Sequence, residues 1–221
     1  MRVIDRTSTS RGELVLREGD DADGNRVYDL LNDGVFLMDS AGAESEEQLA
    51  DTVLKTRAAH RGLHVLVGGL GFGFTARAAL RYAAVSRVDI VEIEPALIEW
   101  ARGPLRPFLD PVLTDPRVEI FVADVRDHLT RVRGKYDVIL LDVDNGPDFL
   151  SNPENADLYT QAGLALLAAA KRPGGEVAIW SAEASPAFVA LLEQRFAETC
   201  VLPVTVRRAG RELCYTIYRA H

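Results

Sequence analysis

Two aspartates close an apolar run, Tyr136-Asp137-Val138-Ile139-Leu140-Leu141-Asp142-Val143-Asp144. Spaced two apart, Asp142 and Asp144 project to one side if the extended chain continues past the run. One carboxylate can orient a nucleophile and another can take its proton. Asp142 is the candidate for orientation, Asp144 the candidate base and Asp148 a weaker third choice. The same stretch, Asp144-Asn145-Gly146-Pro147-Asp148, also reads as plain turn chemistry. Upstream, Gly68-Gly69-Leu70-Gly71-Phe72-Gly73 joins an apolar strand to a helix. Glycine lets the backbone turn sharply and lets a ligand lie against it, and the helix start offers unpaired N–H groups. Glu92 ends the next strand, where a carboxylate can accept from ribose hydroxyls. Asp124 ends the strand after that and can accept from an adenine amino group or simply cap the following helix. Together these residues predict a nucleoside site.

The elements that must position them alternate. Strands are expected over residues 63–67, 87–92, 118–122, 136–141 and 177–180, with helices over 46–59, 75–84, 125–132, 158–171 and 186–197 and another starting at Pro95. Pro173-Gly174-Gly175 reads as the stop of the fourth of these helices. Strands near 204–207 and 213–218 are expected to form a hairpin around Ala209-Gly210. This order predicts an α/β, doubly wound, Rossmann-like sheet. Ahead of it, residues 13–17, 26–31 and 35–38 alternate like antiparallel strands, with Asp33-Gly34 as a tight hairpin turn. The expected division is a small N-terminal β domain, 1–45, and the nucleoside-binding domain, 46–221.

Composition narrows the function. The 221 residues carry a net charge of −8, which gives no electrostatic footprint for nucleic acid or anionic lipid. Arg207, Arg208 and Arg211 read as a solvated edge. No apolar run approaches the roughly 18 residues of a membrane span, and residues 1–11 lack a signal-peptide core, so a cytoplasmic location and no membrane partner are expected. Cys200 and Cys214 read as buried thiols that adjacent strands could otherwise pair. No metal is expected. The loop holding Asp21, Asp23 and Asn25 lacks the rest of a calcium pattern, and His60, His64, His128 and His221 do not cluster. His64 reads as a hydrogen-bonded core side chain, Trp100 as packing, and Trp180 as packing that can also border an acceptor pocket. The dinucleotide spacing G-x-G-x-x-G fails at Phe74, which disfavours NAD.

The spacing through Gly69, Gly71 and Gly73 resembles the S-adenosylmethionine loop of class I methyltransferases. Val88-Asp89-Ile90-Val91-Glu92-Ile93-Glu94, Asp115-Pro116-Arg117-Val118, the run from Tyr136 to Asp142, Leu158-Tyr159-Thr160 and Lys171-Arg172-Pro173-Gly174-Gly175 are similar to the spermidine synthase family. Asn32-Asp33-Gly34-Val35-Phe36-Leu37-Met38 resembles that family's N-terminal β-strand domain. The resemblance implies a sulfonium-nucleoside site built from Gly69, Gly71, Gly73, Glu92, Ile93, Asp124, Val125 and Asp142. Glu92 would take the ribose, Asp124 with Val125 the adenine, and Asp142 would lie by the sulfonium or the nucleophile.

Departures from the family decide the expected reaction. The family's glycine loop carries an aspartate that holds the amine of the aminopropyl group, and here the loop has no acid. Asn145 falls on the family's base, one residue after Asp144. Ala50-Asp51-Thr52 stands where the family has Tyr-His-Glu, and Leu37 replaces a polar Gln. An acid-free loop suits a donor that brings its own carboxylate. The expectation is therefore a transferase that binds S-adenosylmethionine and methylates a small-molecule acceptor. Two alternatives stay open: an aminopropyltransferase using decarboxylated S-adenosylmethionine, and a nucleoside-binding protein without turnover. The edges of the N-terminal sheet offer a surface for a homodimer.

Overall fold

The computed structural model describes residues 1–143, 145–148, 150, 153–208 and 211–221, with Pro153, Arg208 and Arg211 as backbone only. Asp144 and the tip Ala209-Gly210 lie outside the described residues. The N-terminal part is a four-stranded antiparallel sheet in the order β1-β2-β3-β4, with β1 Arg2–Thr9, β2 Gly12–Asp20, β3 Arg26–Asn32 and β4 Val35–Asp39. The turn between β3 and β4 has positive φ at both Asp33 (49°) and Gly34 (77°), as the hairpin signal predicts. β1 escaped the sequence reading. Arg2–Thr9 is polar and none of its residues is buried, so no alternation marks it; pairing with β2 makes it a strand.

The second sheet has seven strands in the order β10-β11-β9-β8-β5-β6-β7. β5 Leu63–Gly68, β6 Val85–Glu92, β7 Val118–Val122, β8 Tyr136–Leu141 and β9 Lys171–Ser181 run parallel, and β10 Thr199–Arg208 with β11 Arg211–Ala220 adds an antiparallel hairpin. The helices are α1 Glu44–Leu54, α2 Phe74–Leu80, α3 Pro95–Arg102, α4 Arg106–Leu113, α5 Val125–Thr130, α6 Gln161–Ala170 and α7 Pro186–Arg195. β5 has β6 on one flank and β8 on the other, although β6 follows it in sequence and β8 comes later. That reversal of strand order is the switch point where ligands bind in open α/β sheets. Apolar β5 and β8 are buried there because helices cover both faces. Leu14, Leu16 and Leu30 of the N-terminal sheet join the same core as Leu49, Val53 and Val65. No helix among the described residues is long and apolar enough to cross a membrane.

Several boundaries differ from expectation for local reasons. The helix expected from residue 158 starts at Gln161, because the Thr160 hydroxyl accepts from the Gly163 N–H at 3.2 Å and caps it; a 3-10 segment, Pro153–Tyr159, precedes it. Pro173-Gly174-Gly175 ends no helix. It bulges within β9, where Tyr136 faces Lys171 but Val138 already faces Glu176. The helix from Pro95 is two helices, broken at Gly103. Cys200 and Cys214 are exposed free thiols, which corrects the expectation of burial; Cys200 faces Arg219 and Cys214 faces Thr205, so they sit at different levels of the ladder. Asp21 accepts from the Asp23 and Asn25 backbone N–H groups at 2.9 and 2.8 Å, which accounts for that loop as a turn. No group of metal-ligating side chains occurs among the described residues. The Trp100 indole donates to Asp5 at 2.8 Å, tying α3 to β1.

One buried charge stiffens the sheet. Asp89, fully buried in β6, accepts from Lys135 at 2.7 Å, Arg87 at 2.9 Å and Tyr136 at 3.0 Å, and His64 Nε2 lies 3.0 Å from it. Burial pushes its carboxyl up, but the close contact with His64 and the hydrogen bonds from Lys135 and Arg87 outweigh this and hold it well below the usual range. Its contribution is therefore complete above the ordinary aspartate pKa of about 3.9 and fades only as pH falls toward the depressed value. Asp89→Asn should cost about 1–3 kcal/mol at pH 7, measured by urea unfolding, and the deficit should shrink at pH 3. An equal deficit at both values would contradict the electrostatic account.

Candidate active site

The switch point opens into a cavity of about 220 Å³. Its walls come from the loops after β5, β6, β7 and β8, from the first turn of α1, and from the N-terminal sheet through Arg11, Leu14, Leu30, Asn32, Leu37 and Met38. Glu92 ends β6 and is buried. One of its oxygens accepts from the Leu70 N–H of the glycine loop at 2.8 Å, and the other from the Glu94 N–H at 2.8 Å. Burial raises its pKa, and these two backbone donors oppose the rise. Each oxygen keeps capacity for a further donor, so the carboxylate fits a pair of ribose hydroxyls. Ile93 and Val125 line the cavity beside it.

Asp124 both lines the cavity and caps α5, accepting from the Arg126 N–H at 2.6 Å and the Asp127 N–H at 3.3 Å. The two readings of this residue are thus compatible, since one carboxylate can hold the helix end and still accept from a ligand.

The glycine loop divides. Gly69 and Gly71 line the cavity, whereas Gly73 does not. A Cβ on Gly73 would lie 2.5 Å from Leu109 Cδ2, so that glycine serves the packing of α2 against α4. At Gly69, φ is 91° and a Cβ would lie 2.2 Å from the Asp142 carbonyl oxygen. The loops after β5 and β8 therefore touch backbone to backbone, and the Asp142 N–H donates to the Gly68 carbonyl at 2.9 Å.

Asp142 sits half-buried on the cavity wall on the β8 flank. Thr75 donates to its Oδ2 at 2.6 Å. Burial pushes the carboxyl up to about 7, the negative charge of Glu46 adds to the rise, and the Thr75 hydroxyl opposes it. An acid so placed can take a proton near neutral pH. Glu46, from the first turn of α1, lines the same cavity and is an acid of this site that the sequence reading missed. The reading looked to Ala50-Asp51-Thr52, but Ala50 is buried and Asp51 turns to Lys55, Tyr82 and Arg81. Acid spacing along α1 could have signalled it, since Glu46 lies one turn before Ala50. Asn145 and Trp180 also line the cavity, whereas Asp148 is exposed and does not. Asp144 is outside the described residues.

The wall on the β6 flank is tied to the N-terminal sheet. Arg11 donates to Glu94 Oε1 at 2.5 Å and to the Ile93 carbonyl at 3.0 Å, and Asn32 holds the Arg11 carbonyl at 3.0 Å.

Known proteins are similar to this chain in sequence and in fold. A sequence model of the Spermine/spermidine synthase domain matches residues 42–187. Polyamine aminopropyltransferase 2 of Pseudomonas aeruginosa is 37% identical over 165 residues, covering 72% of this chain and 46% of that protein. Putrescine N-methyltransferase 1 of Nicotiana tabacum is 34% identical over 116 residues, covering 51% of this chain and 29% of that one. The chain thus spans about half the length of the first relative and under a third of the second. Among solved structures, a spermidine synthase in complex with the transition state analogue AdoDATO superposes with a TM-score of 0.79 at 20% identity, covering 99% of this chain and 73% of that one. The spermidine synthase of Thermotoga maritima gives 0.75 at 19% identity, covering 99% and 72%. With a domain match over more than half its length and a fold aligned nearly end to end, the chain belongs to the spermine/spermidine synthase family.

Proposed function

We propose that this chain transfers an alkyl group from an S-adenosyl sulfonium donor to an amine. The observation that carries the reading is the pairing of acids across the β5 loop: Glu92 on the β6 flank, and Asp142 with Glu46 on the β8 flank, all lining one cavity. β6 and β8 are two strand spacings apart, roughly 10 Å. A nucleoside held at Glu92 and Asp124 would therefore reach toward Asp142. The donor, when bound, supplies an electrophilic carbon and a neutral thioether leaving group. Asp142 would orient the attacking amine and accept its proton, and the loop would position the two reactants.

Which alkyl group moves depends on the donor's tail. Glu46 and Asp142 put negative charge on the reacting flank, while Arg11 is engaged by Glu94 and Ile93. A donor carrying its own carboxylate meets repulsion there, and one ending in an ammonium meets attraction. Together with the aminopropyltransferase relatives, this favours decarboxylated S-adenosylmethionine and aminopropyl transfer. Methyl transfer from the intact donor, the preference drawn from the acid-free glycine loop, remains the second reading, and similarity to a putrescine N-methyltransferase supports it. Calorimetric titration separates them. Methylthioadenosine should bind, and the decarboxylated donor should bind more tightly than the intact one. The opposite preference would establish the methyl reading, and binding of none of the three would overturn both.

A further inference from the structure

We infer that Glu46 is the residue that selects the donor, holding the terminal ammonium of decarboxylated S-adenosylmethionine from α1 in place of an acid in the glycine loop. The inference rests on the proposed sulfonium-nucleoside site and adds the residue that discriminates within it.

Glu46 differs from Glu47 and Asp51 of its helix. Glu47 pairs with Arg77 at 3.5 Å and Arg81 at 3.1 Å, and Asp51 pairs with Lys55 at 2.8 Å. Glu46 has no ion-pair partner among the described residues, and it is the α1 acid that lines the cavity. Its Oε2 accepts from the Ser45 hydroxyl at 2.6 Å, leaving Oε1 without a hydrogen-bond partner among the described residues. The first turn of α1 lies against the segment that leaves the glycine loop, where Thr75 Oγ1 is 3.4 Å from the Glu46 carbonyl. The same hydroxyl makes its shorter contact to Asp142, so Glu46 and Asp142 flank Thr75. A half-buried carboxylate on a cavity wall with no cation beside it attracts a cationic group on a ligand. At this point in the cavity, that cation is the donor's tail.

Three ligands and two variants test this: methylthioadenosine, which lacks the charged tail, and the intact and decarboxylated donors, each titrated calorimetrically into wild type, Glu46→Gln and Glu46→Asp. Glu46→Gln should leave methylthioadenosine affinity within about twofold and shift the affinity ratio of decarboxylated to intact donor by about 10- to 100-fold toward the intact form. Glu46→Asp, which keeps the charge, should retain most of the wild-type ratio. An unchanged ratio in Glu46→Gln with methylthioadenosine still bound would overturn the role of Glu46 and leave the site reading standing. Parallel loss of all three ligands would make Glu46 a structural residue and overturn it as well. Failure of wild type to bind methylthioadenosine would instead overturn the site reading, and the inference with it.

Discussion

Asp142→Asn should lower transfer by about 100- to 10,000-fold while leaving methylthioadenosine affinity within a few-fold. The carboxylate is placed to take a proton, and its raised pKa matches that task near neutrality. Asparagine keeps the size and can still accept from Thr75, so the cavity should survive. The measurement is single-turnover release of the thioether nucleoside, with putrescine as acceptor. The same substitution makes a second, independent prediction through stability. An aspartate whose native pKa, about 7, exceeds its unfolded value carries extra proton in the native state between the two. Native stability therefore falls as pH climbs through that window and levels off above it. Asparagine removes this slope, so the variant should gain stability relative to wild type between pH 5 and pH 8. Unimpaired transfer would remove Asp142 from the chemistry, and a parallel pH profile would remove its raised pKa.

Gly69→Ala should cost on the order of 3–5 kcal/mol and abolish nucleoside binding. Two penalties combine here. The backbone sits at a φ of 91°, and the added carbon meets the Asp142 carbonyl oxygen, which is main chain and cannot rotate away. Relief requires the loops after β5 and β8 to part, displacing both the acid and the cavity wall. Gly24→Ala is the matched control: φ is 82°, but nothing lies within 4 Å of the added carbon, so it carries the backbone penalty alone. The difference between the two in urea unfolding isolates the collision. Equal costs would mean that the two loops yield easily.

The residues legible in the sequence are those whose role follows from chain-local punctuation. Glu92 and Asp142 end apolar strands, and Gly69 and Gly71 open a strand–helix junction, so a parallel sheet carries them to the same edge whatever the details. Glu46 was passed over because its spacing from Ala50 gains meaning only when the side of α1 that faces the cavity is known, and Ala50, Val53 and Leu54 fix that once they are packed. Gly73 reads as a ligand-contacting glycine but answers to Leu109, thirty-six residues on, which no local pattern reveals. β1 carried no signal because a polar edge strand with no buried residue is indistinguishable from a loop until its partner pairs with it. Asp124 has a cap and a cavity wall in one side chain, so neither reading of it needed to be discarded.

The Arg11 contact to Ile93 and Glu94 makes the small N-terminal sheet one wall of the cavity. Leu14, Leu16 and Leu30 already seat that sheet on the shared core, so whatever binds beside Glu92 acts as added mortar between the two sheets, stabilising a joint the side chains make on their own.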